Sequence, residues 1–259
     1  MKKITLALAL ILMHVALSFA ATPAEINAKA ELARNGDAQA GYELGLMYLQ
    51  GRETPRDMNL AARWFSSAAA FGHAEARYEL ALCYAKGLGV TRDYGQAFAW
   101  YQEAALQGLP KAQYAVGVYL ESGAHVTQNL DFARQWFELA AAKDYAPAQA
   151  RLGFMYYNGY GVTQNYATAA VWLQKAAQQN DSLSQIMLAY LYHTGNSVPQ
   201  DYVQAYMLYK LAAYSPVAAT REAALKGLNT VKKGMVKGQI ARAEDMALEW
   251  RKKYAQPSN

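Results

Sequence analysis

Five glycines recur at a constant spacing of 36 residues along this chain of 259 residues. They are Gly51, Gly87, Gly123, Gly159 and Gly195. The same step relates four tryptophans, from Trp64 to Trp172, and a pair of adjacent alanines in every repeat. A fixed period of this size indicates a repeat array, in which each repeat packs on its neighbours. Because such arrays present extended surfaces, the pattern favours binding over catalysis.

The first half of each repeat is predicted to be a helix. In the first repeat, Ala40, Leu44 and Tyr48 recur at helical spacing and therefore share one face. Gly45 lies on the same face, and a small residue there lets a second helix approach closely. The glycine that ends each first helix tolerates the positive φ of a helix C-terminus.

A second helix is predicted to follow in every repeat. It begins after a residue whose short side chain can accept an unpaired backbone N–H. These N-cap residues are Asp57, Asp93, Asn129, Asn165 and Asp201. The helix then carries an apolar stripe that includes Ala61, Trp64 and Ala68. It ends at Gly72 and, in later repeats, at Gly108, Asp144 and Asn180, residue types that adopt left-handed backbone more readily than most.

The pattern resembles the Sel-one-like repeat, a 36-residue relative of the tetratricopeptide repeat. The second repeat carries the resemblance most completely, with Ala76, Leu80, Tyr84, Gly87, Gly89, Val90, Asp93, Ala97, Trp100, Ala104, Ala105 and Gly108. The resemblance covers residues 36–214. It implies an all-α fold, a right-handed α-solenoid (α/α superhelix) of five helix-turn-helix repeats with helical caps. Loop departures occur at Glu53, Ala124 and Ser197.

Atypical segments flank the five repeats, as expected for units that cover the ends of a stack. Residues 21–35 are predicted to form an N-terminal capping helix, and residues 215–259 to hold two C-terminal capping helices. The first 20 residues are interpreted as a signal peptide, with Lys2 and Lys3 before an apolar run and cleavage after Ala20. An uncleaved membrane anchor is the alternative. A signal peptide of this type predicts a periplasmic or secreted bacterial protein without an integral membrane segment after cleavage.

The sequence carries no recognisable catalytic or cofactor motif. His73, His125 and His193 are not spaced as metal ligands from one another or from a cysteine, and phosphate-binding and nucleophile motifs are absent. We therefore predict no enzyme activity, no cofactor and no metal. Cys83 is the only cysteine. It is interpreted as a small apolar core residue, with an intermolecular disulfide as the alternative.

Positive charge is concentrated near the C-terminus. From Arg221 onward there are nine Lys or Arg and four Asp or Glu, which gives this segment a charge of +5. A solvated capping helix explains it, and weak contact with an anionic surface is the alternative. Nucleic acid is not predicted as a partner, because export separates the protein from it and no nucleic-acid motif is present.

In a tetratricopeptide-like superhelix the first helices line the concave side, so the resemblance places candidate binding residues there. Those predicted to bind a protein or peptide partner are Tyr42, Tyr78, Lys86, Tyr114, Glu121, Phe154, Tyr157, Tyr190 and His193. The repeat itself favours an aromatic residue at Tyr42, Tyr78 and Tyr114. Phe154, Tyr157 and Tyr190 are less regular between repeats, which favours a binding role because aromatic side chains give large contact area.

The function that these observations predict is an exported scaffold or adaptor that binds a protein or peptide in its concave groove. The resemblance implies this role as well, because proteins of this kind assemble complexes. Two alternatives stay open at this point. One is a cell-wall-active enzyme or enzyme subunit, and the other is a structural envelope protein held by its basic C-terminal tail.

Overall fold

The structure is a computed structural model, and it describes residues 22–51 and 54–254. These residues form thirteen α-helices and no strands, which confirms the predicted all-α fold. The helices are α1 Pro23–Arg34, α2 Ala38–Gln50, α3 Met58–Ala70, α4 Ala74–Lys86, α5 Tyr94–Leu106, α6 Pro110–Ser122, α7 Leu130–Ala141, α8 Ala146–Asn158, α9 Tyr166–Gln178, α10 Ser182–Thr194, α11 Tyr202–Ala212, α12 Ala218–Lys232 and α13 Lys237–Tyr254. The predicted signal peptide, residues 1–20, lies outside the described residues.

Contacts divide the chain into two compact units. The N-terminal unit extends to Tyr119 and includes Ala124–Val126. The C-terminal unit contains Leu120–Gly123 and the chain from Thr127 onward. Helices α1 to α5 thus belong to the first unit and α7 to α13 to the second, with the boundary inside α6.

The predicted caps start and end the helices. Each N-cap carboxylate or amide of the second helices accepts a backbone N–H three residues further along the chain, as Asn165 does from Thr168 at 2.9 Å. Asp144 and Asn180 have φ of 57° and 64°, as predicted for the ends of second helices. Ser197 also has a positive φ, 59°, at the position where the fourth repeat has Gly161. The loop of the fifth repeat therefore keeps the local backbone of its neighbour despite its different sequence.

Small residues in the first helices make room for the second helices, as the sequence predicts. A Cβ added to Gly153 in α8 would lie 2.7 Å from Cδ2 and 2.8 Å from Cγ of Leu173 in α9. A Cβ added to Gly45 in α2 would likewise clash with the ring of Phe65 in α3. Since Leu173 and Phe65 are fully buried, each glycine sets how closely its helix pair packs.

The tryptophans are not the deepest residues of the second helices, although they lie on the predicted apolar stripe. Trp64 and Trp172 are half-buried. A cationic side chain lies over each ring. The guanidinium carbon of Arg34 is 5.9 Å from the ring centroid of Trp64, and Nζ of Lys175 is 4.7 Å from that of Trp172. The next position in each repeat, one residue further around the helix, points to the first helix instead. It holds Phe65, Tyr101, Phe137, Leu173 and Tyr209, all buried.

Polar side chains link successive repeats within the units. In α8, Nε2 of Gln149 donates to the carbonyl oxygen of Ala141 at 3.3 Å, in the last turn of α7. Equivalent bonds, spaced by 36 residues, are Arg77 to Ala69, Gln113 to Ala105 and Gln185 to Ala177. We call this series the polar ladder. Arg221 of α12 lies 36 residues after Gln185, but it donates to the carbonyl of Ser215 at 3.1 Å and not to that of Ala213, so α12 does not continue the ladder.

The C-terminal capping helix α13 makes polar contacts with the last two repeats. Nζ of Lys210 lies 2.6 Å from Oε1 of Glu244, to which the hydroxyl of Tyr206 also donates at 3.3 Å. At the other end of α13, Nδ2 of Asn180 donates to the carbonyl of Tyr254 at 2.8 Å. These contacts indicate that α13 packs as part of the C-terminal unit.

Candidate functional site

Two successive repeats of the C-terminal unit carry aromatic residues at the same three positions. We call them the aromatic triads. The triad of the fourth repeat is Phe154, Tyr157 and Tyr166, and that of the fifth is Tyr190, His193 and Tyr202. Eight of the nine equivalent positions in the first three repeats hold non-aromatic residues, namely Leu46, Leu49, Met58, Leu82, Ala85, Val118, Glu121 and Leu130, whereas Tyr94 is aromatic. Only the fourth and fifth repeats therefore have aromatic residues at all three positions.

The two triads form one surface. The ring centroids of Tyr157 and Tyr166 are 5.3 Å apart at an interplanar angle of 72°. Tyr157 also contacts Tyr190 of the next repeat, at 6.4 Å and 66°, and this contact joins the triads. His193 and Tyr202 lie 5.8 Å apart. Edge-on contacts of this kind are favourable arrangements for aromatic rings. We call the six residues together the aromatic path.

The aromatic path is accessible to a partner. Phe154 is 37% and Tyr190 43% exposed, and the other four side chains are half-buried. The three residues predicted to anchor a partner, Phe154, Tyr157 and Tyr190, thus lie at the surface of the C-terminal unit. A partly exposed aromatic ring retains apolar area that a partner can cover.

Two glutamines hold the tyrosines of the path. Nε2 of Gln164 donates to the carbonyl oxygen of Tyr157 at 2.9 Å and to the hydroxyl of Tyr166 at 3.0 Å. Gln200, 36 residues further on, donates to the carbonyl of His193 at 2.8 Å and to the hydroxyl of Tyr202 at 3.3 Å. Each amide therefore joins the end of a first helix to the start of the following second helix.

A buried tyrosine lies beneath the path. The ring of Tyr209 in α11 packs on Gly227 of α12, where an added Cβ would lie 2.7 Å from Cδ1. Burial raises the pKa of Tyr209 to about 12, and the nearby hydroxyls of Tyr157 and Tyr190 contribute to the rise. Burial likewise raises the pKa of Tyr157, with smaller contributions from Tyr190 and Tyr166. These tyrosines therefore stay protonated near neutral pH, when a hydroxyl can both donate and accept hydrogen bonds.

Glu121 is buried and forms a salt bridge with Arg151. It is only 4% exposed, and both of its carboxylate oxygens accept from Nε of Arg151, at 2.8 and 2.7 Å. The guanidinium carbon of Arg151 in turn lies 5.1 Å from the ring centroid of Phe154. The structure therefore gives this predicted binding residue a positioning role, in which it fixes the arginine that supports Phe154.

Charged residues are sparse along the aromatic path. Residues 154–166 contain no Asp, Glu, Lys or Arg, and the equivalent residues 190–202 contain only Asp201, which caps α11. Beside Phe154, the guanidinium of Arg151 is paired with Glu121.

The remaining predicted binding residues lie in the N-terminal unit, in separate contacts. Tyr42 stacks on His73 at 4.5 Å. The ring centroids of Tyr78 and Tyr101 are 5.4 Å apart, and Nζ of Lys111 lies 4.2 Å from the ring centroid of Tyr78. Lys86 is exposed at the end of α4, and Tyr114 is half-buried in α6. The two tyrosines with described ring contacts thus contribute to packing, in line with the aromatic preference of the repeat.

The described residues offer little that resembles a reactive centre. Cys83 is 3% exposed, and burial raises the pKa of its thiol to about 11, so the thiolate is scarce at neutral pH. Its burial favours the core interpretation over an intermolecular disulfide. Within residues 22–51 and 54–254, no three His, Cys, Asp or Glu side chains group as a metal site requires. None of the helices in those ranges is long and apolar enough to span a membrane.

The basic end of α13 is engaged in contacts within the chain. The guanidinium of Arg251 lies 4.4 Å from the ring centroid of Tyr214. Lys252 pairs with Glu249 at 2.7 Å, and Lys253 lies 5.0 Å from the ring of Tyr254. These contacts favour the interpretation of the basic segment as a packed capping helix.

Comparison with protein families identifies the repeats. The profile of the Sel1 repeat matches residues 38–73, 74–109, 110–145, 146–181 and 182–215, which is more than half of the chain. The chain belongs to the Sel1 repeat family. Sel1 repeat proteins generally serve as scaffolds for protein interactions, and most are not enzymes. A search of curated proteins found no match.

The fold is also that of a solved structure. A Sel1 repeat protein from Oxalobacter formigenes is similar over 86% of this chain and 99% of its own, with 24% identity and a TM-score of 0.71. A putative Sel1 repeat protein from Klebsiella pneumoniae subsp. pneumoniae covers 80% of this chain and 99% of its own, with 16% identity and a TM-score of 0.48. A protective antigen of uropathogenic Escherichia coli with an SLR fold covers 89% of this chain and 64% of its own, with 24% identity and a TM-score of 0.44.

Proposed function

We propose that this Sel1 repeat protein is an exported bacterial scaffold, periplasmic or secreted, that holds a protein or peptide partner on the aromatic path. The observation that carries the proposal is the contact between Tyr157 and Tyr190, which joins the aromatic triads of two successive repeats into one accessible surface. The general role of the family in protein interactions supports it. The pattern of residues 1–20 supports export.

The physical basis for binding is the apolar area that the path offers at small entropic cost. Tyrosine and phenylalanine side chains have few rotatable bonds, and residues such as Tyr157 are already fixed by their neighbours. Truncating such an anchor typically costs about 2 kcal/mol or more in binding, which corresponds to an affinity loss of about thirtyfold.

Binding without catalysis is part of the proposal. His193, the histidine of the path, packs on Tyr202, and Cys83 is buried in the N-terminal unit. A nucleophile with an adjacent base is what covalent catalysis requires, and the aromatic path offers aromatic rings and amides instead.

Site-specific cross-linking in the native bacterium tests the binding surface. A photoreactive phenylalanine analogue replaces Tyr190, and in a matched control it replaces Leu183, an exposed residue on the same helix. We expect one partner to be cross-linked from position 190 and not from position 183. The identified partner is then purified and titrated against a variant with Phe154, Tyr157 and Tyr190 changed to alanine.

The triple variant should retain its helical circular dichroism and bind the purified partner at least about thirtyfold more weakly. Unchanged affinity in a folded triple variant would refute the proposal. Export is tested separately by cell fractionation. The full chain should appear in the periplasm or medium, and a chain without residues 2–20 should stay in the cytoplasm.

A further inference from the structure

We infer that His73 is a pH-sensitive helix cap, which holds the start of α4 when its ring is neutral and gives up that bond when the ring is protonated. The device belongs to the N-terminal unit and does not depend on the proposed binding surface. It is built from the two ring nitrogens of His73, the side-chain amide of Gln39 in α2 and the carboxylate of Glu75 in α4.

The two ring nitrogens of His73 have different roles in the neutral form. Nδ1 accepts the backbone N–H of Ala76 at 3.2 Å, which caps the N-terminus of α4. Nε2 lies 2.9 Å from Oε1 of Gln39, and because an amide oxygen can only accept, Nε2 carries the proton. One neutral tautomer therefore satisfies both contacts.

Backbone and ring contacts hold His73 in position. Its N–H donates to the carbonyl of Ala68 at 3.1 Å, and its carbonyl accepts from the N–H of Arg77 at 3.0 Å. Its ring stacks on that of Tyr42 in α2, with the centroids 4.5 Å apart and an interplanar angle of 23°. The side chain is 15% exposed, so water can deliver a proton to a ring that is otherwise fixed.

Protonation changes Nδ1 from an acceptor into a donor. Because a protonated histidine donates from both nitrogens, the N–H of Ala76 loses its acceptor. Oε2 of Glu75 lies 3.6 Å from Nδ1 and can pair with the new N–H. The contact between Nε2 and Gln39 has its donor in both states, and the ring of Tyr42 faces the imidazolium as a cation–π partner. The protonated form thus exchanges the cap of α4 for an ion pair with Glu75.

The other charged groups of α2 and α4 around this site are paired with side chains of α1, α5 and α6. These pairs are Glu43 with Lys29, Arg77 with Glu103, and Glu79 with Lys111. Among the described residues, Glu75 pairs with no cation other than His73. Burial raises the pKa of Tyr42, and the charges of Glu79 and Glu75 add to the rise, so its hydroxyl stays neutral in the range where histidine ordinarily changes charge.

Two other first helices carry a carboxylate at the position of His73. Asp37 accepts the N–H of Ala40 at 3.0 Å at the start of α2, and Asp181 accepts that of Ser184 at 2.7 Å at the start of α10. Carboxylates are ordinarily ionised over the whole range in which histidine titrates, and negative charge is favourable at a helix N-terminus. These two caps are therefore internal references for the cap at His73.

Amide hydrogen exchange of the purified, isotopically labelled chain at about pH 7.5 and about pH 5 tests the inference. The readout is the protection factor, the ratio of the intrinsic exchange rate to the measured one, which removes the direct effect of pH on exchange. We expect the protection factor of Ala76 to fall about fivefold or more at the lower pH, as loss of a helix cap implies. Those of Ala40 and Ser184 should change by less than about twofold, because their caps are retained.

Nitrogen NMR of the imidazole rings reports the protonation state at the same two pH values. We expect only Nε2 of His73 to be protonated at about pH 7.5, and both nitrogens at about pH 5. His73→Asp is the control variant, because it keeps a cap that needs no ring proton. Its Ala76 protection should differ by less than about twofold between the two pH values.

Three results would overturn the inference. The ring of His73 could remain neutral at about pH 5. The ring could be protonated while Ala76 keeps its protection. The loss of protection at Ala76 could also be as large in His73→Asp as in the unchanged chain, which would place its cause outside the histidine ring.

Discussion

Because α8 and α9 pack closely at Gly153 and Leu173, we expect substitutions at these two residues to have coupled effects on the free energy of unfolding. Leu173 is fully buried, so Leu173→Ala should lower the free energy of unfolding by about 2–5 kcal/mol. Gly153→Ala has two opposing effects. Alanine improves helix propensity by about 1 kcal/mol. The new Cβ, however, would lie 2.7 Å from Cδ2 of Leu173, and overpacking of this kind costs about 1–3 kcal/mol.

The two substitutions should therefore be non-additive. In the Leu173→Ala background the clash is absent, and Gly153→Ala should stabilise the protein by about 1 kcal/mol. In the wild-type background the same change should be neutral or destabilise by up to about 2 kcal/mol. The double variant is then more stable than the sum of the single variants predicts, by about 1–3 kcal/mol.

Urea unfolding followed by circular dichroism gives the four free energies of this cycle. Because repeat arrays can unfold in parts, hydrogen exchange of α8 and α9 provides the local measurement. The control cycle pairs Leu173→Ala with Val171→Ala, whose side chain is 57% exposed on the same helix, and these two changes should be additive. If Gly153→Ala and Leu173→Ala add to within about 0.5 kcal/mol, the glycine does not set the packing distance and the reasoning is refuted.

Three further predictions concern other parts of the chain. Asn165→Ala should lower the free energy of unfolding by about 1 kcal/mol through loss of the N-cap, while Asn165→Asp should be nearly neutral in the same urea titration. Cys83, whose thiol pKa burial raises to about 11, should react with Ellman's reagent at pH 8 only as fast as the protein opens. Hydrogen bonding from Lys210 lowers the pKa of Glu244, so its stabilising contribution is present above pH 4.5 and is lost as the pH falls through the folded-state pKa. Exchange in α13 should then rise on acidification, and it should rise less in Glu244→Gln.

Sequence reasoning predicted those features that depend on local chemistry. The N-caps such as Asn165 follow from a short polar side chain before an apolar stripe, and the ends of second helices follow from residue types such as Asp144 that accept positive φ. The depth of a side chain depends instead on the rotation of its helix against its neighbour. That is why the sequence placed the tryptophans on the apolar stripe but did not show that Phe65 and its equivalents, at the next position of each repeat, are the deeper residues.

Four of the six residues of the aromatic path were already candidates in the sequence analysis, and two were not. Phe154, Tyr157 and Tyr190 stand out because they break the repeat pattern, and the structure places them at the surface. Tyr166 and Tyr202 were missed because they start second helices, and only first helices were considered as binding surfaces. The available signal is that Tyr166 and Tyr202 follow first helices that are themselves aromatic at the two other positions of the triad, whereas Tyr94 follows a helix with Leu82 and Ala85 there.

The polar ladder gives the array a direction. Gln149 satisfies a carbonyl that belongs to the repeat before it, and Gln185 does the same one step later. Each of these carbonyls also accepts a backbone N–H from its own repeat, as Ala141 does from Asp144 at 3.1 Å, so the ladder adds a second bond that only the following first helix supplies. A chain that is synthesised from its N-terminus therefore gains this second bond for one repeat only after the first helix of the next repeat has been added. The series ends at Gln185, because Arg221 in α12 donates to Ser215 instead of to Ala213, the equivalent of the other acceptors.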